Sequence, residues 1–299
     1  MSKISETAPA IRLLRTTRLA LHLLQGFLTA LLLFPALSQP TRNALSRSWS
    51  AKLLAILAIR LTIVGTVPRR SGKGILFAAN HISWLDIYLL NAVLPLRFVS
   101  KAEVRSWPLI GFLAAKAGTL FIERGRRRDT GRANQEIENA LLNGDHIALF
   151  PEGTTSDGSH IRHFHAPLLQ PAIDADTPVQ PVAIRYFGEN GEIDTAPAYI
   201  DDLSFGDSVK QILRRPRIHA ELHFAATVTP HGKNRRELAG VLHNTITNAL
   251  RPAYPCTTHE KPDDLPGVPP TDSPPTDSRY PAQAHPGALL DPAPTSARK

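Results

Sequence analysis

The sequence predicts an α/β chain: a mixed, largely parallel sheet flanked by helices, preceded by an N-terminal membrane-associated segment of two helices. Three observations predict it. After Pro68, short apolar runs of strand length alternate with helix-length runs as far as residue 251, the pattern of parallel strands joined by helices. Before Pro68, two long apolar segments, 19–37 and 51–67, lie in a stretch with no acidic residue between Glu6 and Asp86. From about Pro255 the chain becomes proline-rich, with PPTDS repeated, and such a composition buries too little apolar surface to offset the entropy of ordering. The expected organisation is a membrane-associated helical segment over 1–67, a folded α/β domain over 68–254 and a disordered tail over 255–299.

The elements follow in order. The first apolar segment, LALHLLQGFLTALLLFPAL, has about the length a bilayer span requires, roughly 20 residues, but His22, Gln25 and Gly26 interrupt it. The second, AKLLAILAIRLTIVGTV, carries Arg60 near its middle, which is costly at the bilayer centre. Both read as helices lying in the membrane interface, with basic side chains near anionic head groups. A single span at 19–37 is the alternative. A cleaved signal peptide fits poorly, because the apolar segment starts late, runs long and lacks a small-residue cleavage site. Next, GILFAAN (74–80) predicts a buried strand and LDIYLLNAV a helix. LRFVSK (96–101) predicts a second strand, and WPLIGFLAAKAG a helix ending on Gly118. TLFIE (119–123) is a third strand, and 129–144 an amphipathic helix stopping at Gly144. HIALF (146–150) is a fourth strand leading into PEGTTSDGS. PLLQPAI predicts a short helix, PVQPVAIRYF (178–187) a fifth strand, DSVKQILRR a helix, 218–228 a late strand and 234–251 a final helix.

Composition narrows the function. The 299 residues are 42% hydrophobic with a formal charge of +8, so the chain folds around a sizeable core and favours anionic partners. Aromatic residues make up 6% of it and do not interleave with basic ones, which argues against a single-stranded nucleic-acid platform. The lone Cys256 excludes an intramolecular disulfide and suits a reducing compartment.

Four short stretches carry chemistry. NHISWLD (80–86) spaces His81 and Asp86 five apart. At about 100° per residue, they meet only if His81 lies at a strand exit and Asp86 in the first turn of the next helix. LFIERG (120–125) delivers Arg124 at a strand end. FPEGTTSDG (150–158) places Glu152, Gly153 and Thr154 in a turn after another strand. QPVAIRY (180–186) is a strand with Pro181 at its entrance. Singly, each has a plain structural reading: a core histidine beside a helix-start aspartate, a solvated arginine, an ordinary turn, an edge-strand proline. Sites in α/β folds gather at the carboxyl ends of strands, where His81, Arg124 and Glu152 are all expected.

Together and in this order, over roughly 70–190, these stretches resemble the glycerolipid acyltransferase family that includes the lysophosphatidic acid acyltransferases. That family is marked by N-H-x-S-x-x-D, F-[IV]-x-R, [FV]-P-E-G-T and a proline-bearing strand. The resemblance makes 68–254 an acyltransferase domain. It implies 1-acyl-sn-glycerol-3-phosphate O-acyltransferase activity in phospholipid biosynthesis, from acyl-CoA or acyl-carrier protein to a lysophospholipid hydroxyl. It implies no cofactor beyond the donor, and a location on the cytoplasmic face of a membrane, the inner one in a bacterium. By resemblance, His81 is the base and Asp86 its orienter, while Arg124, Glu152, Gly153, Thr154 and Lys101 serve the acceptor. The chemistry suits them. An imidazole titrates near pH 6.5, a match for removing an alcohol proton during attack on a thioester. No G-x-S-x-G elbow is present, so direct transfer is expected, with helix-start amides after His81 serving the oxyanion. Trp84 and Leu85 face acyl chains or simply pack in the core.

One departure bears on the acceptor. Many phosphatidate-forming members carry arginine directly after E-G-T, and here that residue is Thr155. Related enzymes that acylate lyso-ornithine lipid also look like EGT[ST]xDG, so lyso-ornithine lipid acylation is the alternative. A noncatalytic lipid-binding protein at the membrane surface is an alternative of another class. HIRHFH (160–165) has ligand-like histidine spacing, but no cysteine or carboxylate pair accompanies it and the reaction needs no metal.

Overall fold

A computed structural model describes residues 6–68, 72–107, 110–122, 127–188, 191–200 and 202–251. The expected tail, 255–299, lies outside these residues. The N-terminal part opens with helix α1 (Pro9–Leu28), with Pro9 in its first turn, where a missing N–H costs nothing. It continues through a widened turn, Thr29–Leu33, and a tight one, Phe34–Ala36. Pro35 ends this run, and α2 (Gln39–Ile56) doubles back against it. Residues Pro9–Ala36 are together long and apolar enough to cross a membrane.

The second apolar segment does not form the expected helix. Its Ala- and Leu-rich first part completes α2, and its second part is strand β1 (Ile59–Gly65). The change comes at Ala58, which adopts a left-handed conformation with φ 55°. Beyond it the β-branched Thr62, Ile63 and Val64 favour a pleated surface over a helix. Arg60, which weighed against a membrane span, is an exposed residue of this strand. The boundary expected at residue 67 therefore falls after a strand of the sheet. Other contacts also fasten the N-terminal part to the domain. Thr7 N donates to Arg214 O, and Arg15 spans Arg215 O and Pro216 O, each at 2.9 Å.

The other elements follow the expected order. They are β2 (Leu76–Ala79), α3 (Leu85–Val93), β3 (Arg97–Lys101), α4 (Ile110–Lys116), β4 (Leu120–Ile122), α5 (Arg127–Leu142) and β5 (Ile147–Leu149). After these come α6 (Gln170–Asp174), β6 (Val179–Phe187), α7 (Phe205–Arg214), β7 (Ile218–Phe224) and α8 (Arg235–Leu250). Among the described residues the sheet has seven strands in the order β1-β7-β6-β2-β5-β3-β4. Every neighbouring pair is parallel except β6 with β7.

Packing on both faces explains the continuous apolar runs of the middle strands. On β2, Phe77 and Ala79 join α2, α3 and α7 residues on one face, while Leu76 and Ala78 join α5 and α8 residues on the other. Pro181 does not mark an edge, because β6 lies between β2 and β7. It lies just before the first β7 pair, Val182 with Phe224; its O accepts from Ala225 N at 3.2 Å, and Gln180 Nε2 donates to Ala225 O at 2.6 Å in place of the N–H that proline lacks. Parallel pairing of β2, β5, β3 and β4 brings their carboxyl ends to one side of the sheet.

Candidate active site

His81 and Asp86 meet as the strand-exit geometry requires. The turn between them depends on Asn80, where the backbone leaves the sheet while the side chain stays in it. Asn80 Nδ2 donates to Ile184 O at 2.9 Å, and Oδ1 accepts from Ile184 N at 2.7 Å. One side chain thus replaces a rung of the ladder to β6 and frees the main chain to turn into α3. Asp86, fully buried in the first turn of α3, closes that turn. Its Oδ2 accepts from His81 Nδ1 at 2.8 Å, Ile82 N at 2.7 Å and Ser83 N at 2.9 Å, and its Oδ1 accepts from the Tyr186 hydroxyl at 2.6 Å.

This arrangement fixes the imidazole. The Asp86 oxygen already faces two backbone donors, so it acts as an acceptor and Nδ1 carries the hydrogen. Nε2 is then the nitrogen able to take a proton. Phe150 stacks on the ring face with centroids 3.9 Å apart and planes at 9°. The His81 backbone is held on both sides: its N donates to Glu152 Oε1 at 2.7 Å, and its O accepts from Ser156 N at 2.9 Å.

Glu152 is only 2% exposed, and its second oxygen accepts from Arg162 N at 2.8 Å. Burial pushes its carboxyl above the usual range, while the two amides oppose that rise. Both oxygens are engaged by backbone, and Glu152 is absent from the cavity wall described below. These contacts make it a brace under His81 and the following loop.

The oxyanion expectation also changes. The amides of Ile82 and Ser83 point at Asp86, so they are not open to a substrate. Trp84 and Leu85 are core residues. Leu85 is fully buried, and Trp84 donates to Ser208 Oγ at 3.0 Å and packs on Phe205. Arg124 lies outside the described residues.

His81 opens onto a cavity of about 850 Å³, within the usual range for ligand sites, roughly 300–1,000 Å³. Lys101, Gly153 and Thr154 line it. Lys52, Thr155, Arg162 and Asp202 line it too, and the sequence alone did not single out Lys52 or Asp202. Apolar walls come from the N-terminal helices and α4, including Ala30, Phe34, Trp49, Ile110 and Leu113. Gly26 makes this wall possible: a Cβ there would come 2.5 Å from Trp49 Nε1. That ring stacks on His22 and donates to His22 O at 3.1 Å. Gly153 has φ 72°, a conformation that favours glycine, and it turns the chain from Glu152 to the cavity-lining threonines. Thr155 hydrogen-bonds through its hydroxyl to Tyr199 O. In HIRHFH, Phe164 is buried while His160, His163 and His165 are exposed. Among the described residues, no three histidine, cysteine or carboxylate side chains gather as metal ligands.

The acyltransferase family profile matches residues 60–185. A lyso-ornithine lipid O-acyltransferase of Pseudomonas aeruginosa is 41% identical over 211 residues, spanning 71% of this chain and 80% of the relative. The chain belongs to the acyltransferase family. This acyltransferase is also 42% identical over 149 residues to a 1-acyl-sn-glycerol-3-phosphate acyltransferase of Neisseria meningitidis, spanning 50% of the chain and 58% of that relative. The crystal structure of the 1-acyl-sn-glycerophosphate (LPA) acyltransferase of Thermotoga maritima shares the fold. It has a TM-score of 0.57 at 20% identity and covers 79% of this acyltransferase and 95% of that chain. Phe150 and Tyr186, which touch His81 and Asp86 directly, are further site residues that sequence reasoning missed. Phe150 directly follows β5 and Tyr186 is the last but one residue of β6, both inside stretches already singled out, and that position was the available signal.

Proposed function

We propose that this acyltransferase transfers a fatty acyl group from acyl-CoA or acyl-carrier protein to the free hydroxyl of a lysophospholipid, 1-acyl-sn-glycerol 3-phosphate, at a membrane surface. The observation that carries the proposal is the His81–Asp86 pair opening onto a large, mostly apolar cavity that also holds cations. His81 Nε2 takes the acceptor hydroxyl's proton as the oxygen attacks the thioester carbonyl. Asp86 stabilises the imidazolium that forms, which then protonates the departing thiolate. No residue is acylated, and no cofactor beyond the donor is needed. Lys52, Lys101 and Arg162 supply positive charge for a phosphate, and Arg124 joins them by its place in the motif. Exposed leucines along α1, among them Leu13, Leu21, Leu24 and Leu28, would enter the lipid interface on the cytoplasmic side.

A second reading, acylation of lyso-ornithine lipid, is favoured by two observations. Three relatives bearing that name match over 75 to 87% of their lengths. Thr155 places no cation after E-G-T, and Asp202 lines the same cavity as a partner for an ammonium group. Purified protein with a labelled acyl donor, offered each acceptor in turn, tests both. The first reading expects turnover of lysophosphatidate, a further gain from Thr155→Arg and none from His81→Ala. Acylation of lyso-ornithine lipid with none of lysophosphatidate would replace the acceptor and keep the chemistry. Near-normal activity of His81→Ala would defeat both.

A further inference from the structure

Among the described residues, Tyr186 is the one group bonded to Asp86 that comes from across the sheet. His81, Ile82 and Ser83 all reach the carboxylate from the turn that Asp86 itself closes. Tyr186 comes from β6, a hundred residues away, and is 2% exposed. Its 2.6 Å bond falls on Oδ1, the oxygen that the turn leaves open. Core packing alone asks only for a ring at this place, and phenylalanine would supply one. A buried hydroxyl aimed at a buried carboxylate asks for a further reason.

We propose that Tyr186 is a positioning residue of the proton-transfer pair: its phenol, fixed on Asp86 Oδ1, sets how tightly the His81–Asp86 pair holds a proton during acyl transfer. The proposal rests on His81 being the base. A donor on Oδ1 draws negative charge away from Oδ2 and so weakens the pull of the carboxylate on the His81 proton. Without it the pair binds a proton more tightly, whether that proton resides on the imidazole or on the carboxylate. The phenol thus keeps the base free at lower pH and holds the carboxylate plane in line with Nδ1. Burial and the Asp86 charge both push the phenol well above its usual range, so it remains a donor throughout the working range. Among the described residues, the other charged groups around the pair are Glu152, from the loop after β5, and Lys52, Lys101, Arg162 and Asp202, which line the cavity. None of these replaces a donor on Oδ1.

The test uses the full chain in detergent or vesicles and reads a pH profile. Tyr186→Phe should move the acid limb of kcat/KM upward by roughly half to one pH unit, the size expected when a hydrogen bond to a charged group is lost in part. Replacing Tyr186 with 3,5-difluorotyrosine strengthens the donor and should move the limb downward. It keeps both ring and hydroxyl, so it serves even if Tyr186→Phe fails to fold. A lipid phosphate also titrates near this range, so the His81 imidazole is followed directly by NMR in the free enzyme, its signal assigned by its loss in His81→Gln. A purely structural role would lower the plateau and the melting temperature without moving the limb. An imidazole that titrates at the same pH in wild type and variants, or shifts in the opposite direction, overturns the proposal. If His81→Ala remains active, the assignment of the base fails, while the NMR titration still decides whether Tyr186 tunes the pair.

Discussion

Asp86→Asn separates charge from geometry at this site. The substituted amide has one oxygen and one NH2. Ile82 N and Ser83 N, at 2.7 and 2.9 Å from the present Oδ2, repel the NH2 and select the oxygen for their side. That oxygen therefore also faces His81 Nδ1, and the imidazole keeps its tautomer. The NH2 turns to Tyr186, whose hydroxyl can accept as well as donate. Each hydrogen bond is replaced, so stability should change by no more than about 1 kcal/mol. What disappears is the charge beside the imidazolium. With charge centres about 4 Å apart and an effective dielectric near 20, the attraction is about 4 kcal/mol, and the asparagine dipole recovers part of it. A net loss of roughly 2 to 4 kcal/mol lowers kcat by about 30- to 1,000-fold. Thermal melts and single-turnover acyl transfer, measured on the same preparation, check both halves. A loss of activity below threefold with an unchanged melt would show that the Asp86 charge does not act on the transition state, and the reasoning would fail.

Glu152→Gln puts an NH2 opposite one of two backbone donors, His81 N or Arg162 N, which now lie 2.7 and 2.8 Å from the carboxylate. It should cost about 1 to 3 kcal/mol of stability and at least tenfold in kcat, read by denaturant melts and turnover. The pH dependence adds a sign. Burial raises the Glu152 carboxyl in the fold, so the stability linked to its protonated form is complete below the ordinary carboxylate range and fades as pH rises through the raised value. The glutamine variant should lack that decline between the two values. Serine at Leu13, Leu21, Leu24 and Leu28 should reduce vesicle binding by more than a hundredfold, since each leucine entering lipid contributes about 1.5 to 3 kcal/mol. Flotation assays read this directly, and unchanged flotation would show that this face does not meet the membrane.

Several features were legible in the sequence because they depend on neighbours along the chain. The strand at 74–80 and the helix over LDIYLLNAV follow from local apolar pattern and turn residues. The pairing of His81 with Asp86 follows from five residues of spacing, one strand exit and one helix start. The turn holding Gly153 follows from a strand end running into a glycine-bearing stretch.

Contacts with distant parts of the chain decided the rest. AKLLAILAIRLTIVGTV is mostly apolar, and apolarity alone does not separate an interface helix from a strand. Pairing with β7, more than 150 residues later, makes Ile59–Gly65 a strand. Glu152 sits in a turn that the sequence shows, yet its work as a brace depends on amides at His81 and Arg162. The amides of Ile82 and Ser83 looked available to an oxyanion until Asp86 was seen to occupy them. Phe150 and Tyr186 read as ordinary strand aromatics until folding laid one on the imidazole and aimed the other at Asp86. A motif specifies which groups are present and how a short turn runs. The partners that set each group's charge, exposure and direction arrive from strands and loops as much as a hundred residues away or more, and only tertiary packing brings them together.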